Sequence, residues 1–471
     1  MFDFTAFLGT VSETTSAVPL SLVGNTAFTE GQSGLSTTEL NWCKANGFSG
    51  KMGECLTFAG TEGAVAKVFV GIGEGLSDSD PWWLASIADK LQEGTYRIEG
   101  KISSAALSQG ALGWCLAQHS FNKYLSGTEQ PAKKLLLPEG VDIQFITAEA
   151  SAMATVRDLV NTPTEDMGPA HLQDVVEGLA EQYGATCSTI VGDDLLEENF
   201  PAIHAVGRAA SEVRAPRLID LQWGEEDAPK LTLVGKGVCF DTGGLDVKPA
   251  AGMRLMKKDM GGAAHTIGLA QLIMATGLKV RLRLLIPAVE NAVSGNAYRP
   301  GDVIDTRKGL TVEIHNTDAE GRVVLCDALA LASEEKPDLM LDFATLTGAA
   351  RVALGEDLPA TYTNDDSVWS ALENGSHETG DPLWRMPLWA PYNDMFKSRI
   401  ADISNCAESG FGGSITAALY LQKFVGADIP WVHFDVYAWS QSAKPGRPYG
   451  GAAQGIRASY KAINTILTLD D

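Results

Sequence analysis

The stretch Asn316-Thr317-Asp318-Ala319-Glu320-Gly321-Arg322 sets two carboxylates and a guanidinium close together along the chain. Residues 310–315 before it alternate apolar and polar, the pattern of a strand. After it Val323, Val324, Ala328, Leu329, Leu331 and Ala332 recur at helical spacing. The motif is therefore expected in a strand-to-helix loop at the mouth of a sheet, where open α/β folds place ligands. In an extended backbone Asp318 and Glu320 leave on the same face. Carboxylates that close repel one another unless a positive group lies between them, and a metal ion is the obvious one. Acidic residues near a helix start also stabilise the helix dipole, so the motif alone does not decide.

A second stretch adds to it. Residues 231–234 read as a short buried strand, followed by Gly235-Lys236-Gly237, Val238-Cys239-Phe240 and Asp241-Thr242-Gly243-Gly244. Lys248 follows beside Pro249, and then Met256-Lys257-Lys258-Asp259-Met260-Gly261-Gly262 leads into an apolar helical segment. Glycines around Asp241 let the backbone come close to a ligand. Lys236, Asp241, Lys248 and Asp259 would be expensive to bury without partners. A purely structural account pairs Lys236 with Asp241 and Lys248 with Asp259 as two salt bridges.

Together GKGVCFDTGG, MKKDMGGAA and NTDAEGR resemble the leucyl aminopeptidases, the cytosolic-type two-metal exopeptidases. Seven charged positions match in order: Lys236, Asp241, Lys248, Asp259, Asp318, Glu320 and Arg322. The resemblance covers the chain from about Arg157 onward and is weak before it. It implies a metal-dependent aminopeptidase that releases an apolar, leucine-like first residue from peptides with a free N-terminus. It also implies that Asp241 and Glu320 bridge two divalent ions, with Lys236 and Asp259 completing one site and Asp318 the other. Such a pair activates the attacking water near neutral pH. Lys236 can ligate only as the neutral amine. By the same resemblance Lys248 stabilises the oxyanion, and Arg322, which has no proton to release, holds a bicarbonate that shuttles one. Asp259 also meets the substrate's α-amino group, Met256, Thr345 and Gly348 line the first side-chain pocket, and the loop containing Leu346 lies beside the substrate backbone. Zinc or manganese is the expected metal, with cobalt or magnesium also suited to these donors. A homohexamer is implied as well. The readings kept beside this one are a dipeptidase such as a cysteinyl-glycine hydrolase, a two-metal phosphatase and a non-catalytic hexameric scaffold.

Other residues offer less. The seven cysteines are dispersed, as in a reducing compartment. Cys239 lies two residues before Asp241, where a sulfur ligand is conceivable, but a small core residue fits better. No HExxH occurs among the seven histidines, and His265 and His315 have no partner at ligand spacing, which leaves His315 an outer hydrogen-bonding role. Asp327 and Asp342 are expected on a helix surface and at a strand end.

These residues need a scaffold. A chain of 471 residues with 45% hydrophobic composition can bury a large core in two domains. A formal net charge of −23 disfavours nucleic acid and anionic membranes. Met1-Phe2-Asp3-Phe4 lacks a basic region before an apolar run, and no run reaches membrane-spanning length, so a cytoplasmic protein is expected. The expected fold is α/β: a smaller N-terminal α/β domain and a larger catalytic α/β domain with a mostly parallel, doubly covered sheet. Residues 1–140 form the first, for scaffold and oligomer contacts, 141–162 a linking loop and helix, and 163–471 the catalytic domain. In the first, 64–70 and 96–98 read as strands, 82–91 and 103–124 as helices and Pro131-Ala132-Lys133-Lys134 as a loop. Residues 147–160 read as the joining helix. In the second, 231–234, 282–286, 339–343 and 432–436 read as strands, and 263–274 and 323–335 as helices. The loop running from Tyr437-Ala438-Trp439 through 445–455 departs from the family's usual ending, so the side-chain preference is expected to be affected there.

Overall fold

A strand buried on both faces must be apolar nearly throughout, and four such strands make the middle of the larger sheet. They are Trp431–Asp435, Leu339–Ala344, Lys230–Gly235 and Arg281–Asn291, adjacent in that order and all parallel. On one side Ala360–Thr363 pairs antiparallel, with Trp384–Arg385 parallel to it beyond, and on the other Arg217–Trp223 and then Thr186–Val191 each pair antiparallel with the strand before. The computed structural model describes residues 2–13, 16–60, 63–126 and 132–468. Met1 and Pro131 lie outside the described residues.

Alternation along the strands sends side chains into two layers. Val234, Met340 and Leu285 belong to a core with Val323, Val324 and Leu329 of the helix Glu320–Glu334, Leu419 of the helix Gly413–Gln422, and Phe424 just beyond that helix. On the other face Phe343 stacks on Phe434, with centroids 4.2 Å apart, and on His265 of the helix Gly261–Thr276. The sheet is therefore covered on both sides, as expected. Gly262 marks how closely that helix approaches: a Cβ there would lie 2.1 Å from the Phe343 carbonyl oxygen.

The strand Arg281–Asn291 is long because it serves two partners. Its first half pairs with Lys230–Gly235 and its last residues with Gly237–Asp241, both parallel. Lys236 sits at the step between them. Its N–H donates to the Phe343 carbonyl and its own carbonyl accepts from Ala263.

By contact density the chain divides into two compact units. One comprises Met1–Ala154, Glu378–Gly380 and Ser442–Tyr449, the other Thr155–His377, Asp381–Gln441 and Gly450–Asp471. The helix Ile143–Asn161 is longer than the expected 147–160 and contains the division. The first unit carries a six-stranded sheet in the order Leu8–Thr10, Lys133–Leu137, Gly94–Glu99, Val18–Val23, Val65–Gly71, Cys55–Ala59, parallel except at the last pair. Lys133 and Lys134 thus open a strand instead of lying in a loop. Lys133 is buried, its backbone held by Gln118. Gln118 leaves the helix Ser104–Ala117 to do so, and that helix ends there instead of running to 124.

Two further expectations are corrected. Residues 310–315 contribute only Val312–Glu313 to a strand, in a separate small sheet with Val303–Ile304 and Ile403–Ser404. The backbone N–H groups of Ile314, His315 and Asn316 go to Asp302 and Asn405 instead of a ladder. Asp327 and Asp342 are both fully buried. Asp327 accepts from the N–H groups of Ala202 and Ile203, capping a helix whose own N-cap residue, Phe200, supplies no side-chain bond, and from that of Arg307. Asp342 lies inside its strand and accepts from Trp431 and His433.

Candidate active site

The ends of the parallel strands deliver the charged residues to one place. Lys236 follows Lys230–Gly235, Asp241 ends Gly237–Asp241, and Thr345 and Leu346 follow Leu339–Ala344. Glu320 is the first residue of its helix, and Asp259 lies in the 3-10 turn Met256–Met260 that feeds Gly261–Thr276. All seven charged positions, together with Met256, Thr345, Leu346 and Gly348, line one cavity of about 740 Å³.

At its floor, carboxylate oxygens of Asp241, Asp259 and Glu320, all buried, lie within 4.8 Å of one another. Lys236 Nζ is 2.7 Å from Asp259 and 3.0 Å from Glu320, and donates to the Thr345 carbonyl at 2.9 Å. Lys248 Nζ is 2.7 Å from Asp241 and also pairs with Asp318. The pairing expected from a purely structural account, Lys236 with Asp241 and Lys248 with Asp259, is thus not the one adopted. Asp241 is fixed from behind by Asn291 and by the Gly243 N–H, each at 2.8 Å, and Asp259 by the Thr345 hydroxyl at 2.9 Å. Asp435 accepts from the N–H groups of Leu346 and Thr347 and from the Thr347 hydroxyl, which sets the loop carrying Thr345.

Asp318 and Glu320 do not sit on an extended backbone. Ala319 (φ −111°, ψ 39°) is the N-cap, so Glu320 points inward from a helix start while the half-buried Asp318 precedes it in a turn. Arg322 is buried and donates to the Asn405 carbonyl, and its Nε has no hydrogen-bond partner among the described residues. His315 pairs with Glu313 and is not among the residues lining the cavity. Cys239 is buried, and all seven cysteines are free thiols.

The floor crowds like charges together. Burial opposes the Lys236 charge, but Asp259, Glu320 and Asp241 outweigh it and hold its pKa above the usual lysine value. For Lys248 burial is likewise outweighed, chiefly by Asp241. Burial and then the charge of Asp241 push the Glu320 carboxyl up to about 8 and that of Asp318 up to about 6. Even with Lys236 and Lys248 in contact with these carboxylates and Lys258 3.9 Å from Asp259, Glu320 and Asp318 thus hold their protons more tightly than ordinary carboxyls. Buried carboxylate oxygens at this separation, with one amine beside them, are a donor set that fits divalent cations.

Gly321 is sterically required. A Cβ there would lie 2.5 Å from Lys236 Cε and 2.7 Å from its Nζ. That end of the side chain cannot swing away, because Asp259, Glu320 and the Thr345 carbonyl clamp it. Gly321→Ala is expected to keep the fold and lower turnover roughly 10- to 100-fold, the usual penalty for displacing a site group by about an ångström. Circular dichroism and steady-state rates check this.

Sequence reasoning passed over Asn291 and Asp435, whose roles depend on register between strands far apart in the chain. It also passed over Lys258 and Arg351, which line the cavity. Lys258, beside Asp259 in the MKKD motif, had an available signal: a second lysine next to a buried acid. From the divergent loop Tyr437 and Gln441 line the cavity.

The comparisons with known proteins agree with this geometry. The family model described as "Cytosol aminopeptidase family, catalytic domain" matches residues 154–460, and that of the "M17 aminopeptidase, N-terminal domain" matches residues 18–138. A probable cytosol aminopeptidase of Rhodopirellula baltica is 37% identical over 454 residues, covering 91% of this chain and 87% of its own. The crystal structure of a cytosol aminopeptidase from Coxiella burnetii is 45% identical with a TM-score of 0.91, covering 96% of this chain and 98% of that one. The bottromycin maturation enzyme BotP in complex with Mn is 30% identical with a TM-score of 0.87, over 96% of this chain and 100% of that one. A buried carboxylate cluster at the ends of parallel strands, in a chain matched nearly end to end by these relatives, places it among them: the chain belongs to the cytosol aminopeptidase family of metal-dependent exopeptidases.

Proposed function

We propose that the chain is a two-metal aminopeptidase that hydrolyses the first peptide bond of substrates with a free N-terminus. The observation that carries this reading is the convergence of Asp241, Asp259 and Glu320 on one another at the floor of the cavity. Asp241 and Glu320 are assigned to both ions, Lys236 and Asp259 to one and Asp318 to the other. When bound, the ions supply Lewis acidity and lower the pKa of water to near neutrality. Zinc or manganese is the proposed metal, the BotP complex with Mn supporting the latter, and cobalt or magnesium would also suit the donors.

The chain's own residues do the rest. Asp259 receives the substrate's α-ammonium, which confines cleavage to the first residue. Lys248 stays charged and half-buried, so its ammonium can meet the negative charge that develops on the scissile carbonyl oxygen. Arg322 cannot act as a base, and its planar fork would hold a bicarbonate, which would supply the proton-shuttling group that the arginine lacks. The loop containing Leu346 lies beside the substrate backbone, and Met256, Thr345 and Gly348 line the pocket for a leucine-like first side chain, with Met256 as its apolar wall. Residues 1–140 are assigned scaffold and oligomer contacts, 141–162 the link and 163–471 the catalysis, in a cytoplasmic homohexamer as the resemblance implies. Among the described residues no helix is long and apolar enough to cross a membrane.

The test is hydrolysis of leucine amide by chelated protein before and after zinc or manganese is returned with bicarbonate. Metal-restored release that is abolished by acetylating the amino group is the expected outcome, and Lys248→Met should lower kcat about 10²- to 10³-fold. Turnover that survives full chelation, or that ignores acetylation, rules the reading out.

A further inference from the structure

One wall of the cavity has a charge opposite to its floor. Lys258 is 6% exposed, and its Nζ makes no hydrogen bond among the described residues. Its nearest carboxylate oxygen, on Asp259, is 3.9 Å away, beyond hydrogen-bond reach, and that residue is already paired with Lys236 at 2.7 Å. Arg351, exposed on the helix Gly348–Leu354, forms no ion pair among the described residues. Both cations lie over the ring of Tyr437, Lys258 Nζ at 5.2 Å and Arg351 Cζ at 4.9 Å from its centroid. The ring is thus within cation–π range of both charges. Lys258 lines the cavity with donors that the described residues do not take up, so an anion entering the cavity can accept from it.

We propose that Lys258 and Arg351 form a carboxylate-binding wall through which the enzyme accepts an acidic first side chain, aspartate or glutamate, in addition to apolar ones. The inference rests on the aminopeptidase reading. The two cations on this wall give an acidic first side chain charged partners apart from the groups assigned to the metal ions. The spacing favours the first side chain as the source. An α-ammonium at Asp259 and a carboxylate at Lys258 would be held by groups 3.9 Å apart, a separation that the few bonds within one acidic residue can match. The C-terminal carboxylate of a dipeptide carries the same chemistry but lies a residue farther along. Arg351 adds a planar fork suited to two-point binding of a carboxylate.

The test uses metal-loaded full-length protein with glutamyl, glutaminyl and leucyl 7-amido-4-methylcoumarins, which have no C-terminal carboxylate, and Leu-Gly against Leu-Gly-amide. The ratio of kcat/KM for the glutamyl over the glutaminyl substrate should fall about 10-fold in Lys258→Met and in Arg351→Gln, as expected for a partly exposed charge-assisted bond. Arg351 is exposed on its helix, so its variant keeps the test informative if Lys258→Met misfolds. If that ratio does not respond but the Leu-Gly over Leu-Gly-amide ratio falls instead, the wall still binds a carboxylate, and its source is the C-terminus. If neither ratio changes in the variants while leucyl turnover persists, the proposal is overturned. Calorimetric binding of glutamate against glutamine reads the same wall without turnover. Loss of a glutamate preference in the variants supports the wall even if no amide is cleaved, and equal binding in the parent protein rejects it.

Discussion

Glu320→Ala is expected to give a folded protein that retains less divalent metal and has lost at least about 10³-fold in turnover, the scale of losing electrostatic stabilisation at a reacting centre. The side chain is 2% exposed and projects from the first residue of its helix into the gap between Lys236 and Asp241. It is the carboxylate most penalised in the present charge balance, with burial and Asp241 raising its pKa to about 8. Removing it relieves that repulsion, so the fold should not suffer. It also removes a donor assigned to both ions, so metal retention should. Glu320→Gln, which keeps the shape and loses the charge, should behave like the alanine variant. Arg322→Ala provides the contrast: it should slow turnover while metal content holds, because Arg322 reaches Asn405 and not the carboxylates. Metal analysis after gel filtration, with circular dichroism on the same samples, checks all three. Unchanged metal content in Glu320→Ala would remove Glu320 from the ligand set.

Much of this site was legible because its residues lie in short motifs placed at strand ends. Lys236 and Asp241 are close in sequence and stay close, since the two strands they bound run on along one partner strand. The helix beginning at Glu320 could be read from the spacing of Val323 to Ala332, and the doubly covered sheet from four apolar runs. What could not be read depends on partners distant in the chain. Residues 310–315 alternate like a strand, yet Asn405 and Asp302 take their N–H groups. Lys133 looks like a solvated loop residue, yet Gln118 holds its backbone inside the first unit. Asp327 reads as a helix-surface acid, but the helix Pro201–Gly207 needs a cap and its own N-cap residue has none to give. Charge in a sequence thus marks a residue as worth explaining without saying whether water, a ligand or a buried N–H will answer it.

Asp342 is the clearest case of the last kind, and Asp342→Ala is expected to cost about 3–5 kcal/mol of stability in the catalytic unit, the range for breaking a buried charged pair. Its carboxylate accepts from Trp431 Nε1 at 2.7 Å and from His433 Nδ1 at 2.6 Å, and all three residues are fully buried. Alanine would leave an indole N–H and an imidazole N–H without acceptors in the middle of the sheet, where no water reaches them. Both partners lie on the neighbouring strand Trp431–Asp435, so the loss also loosens the pairing that carries Asp435 and, through it, the loop at Thr345. Asp342→Asn keeps one acceptor oxygen and should cost less. Replacing the trio together, as Asp342→Leu with Trp431→Phe and His433→Leu, should recover much of the loss, because no polar group is then stranded. Urea midpoints followed by tryptophan fluorescence for the variants that retain Trp431, and by circular dichroism for the triple variant, measure these differences. A midpoint for Asp342→Ala equal to that of the parent would show that the buried carboxylate contributes nothing to holding the two strands together.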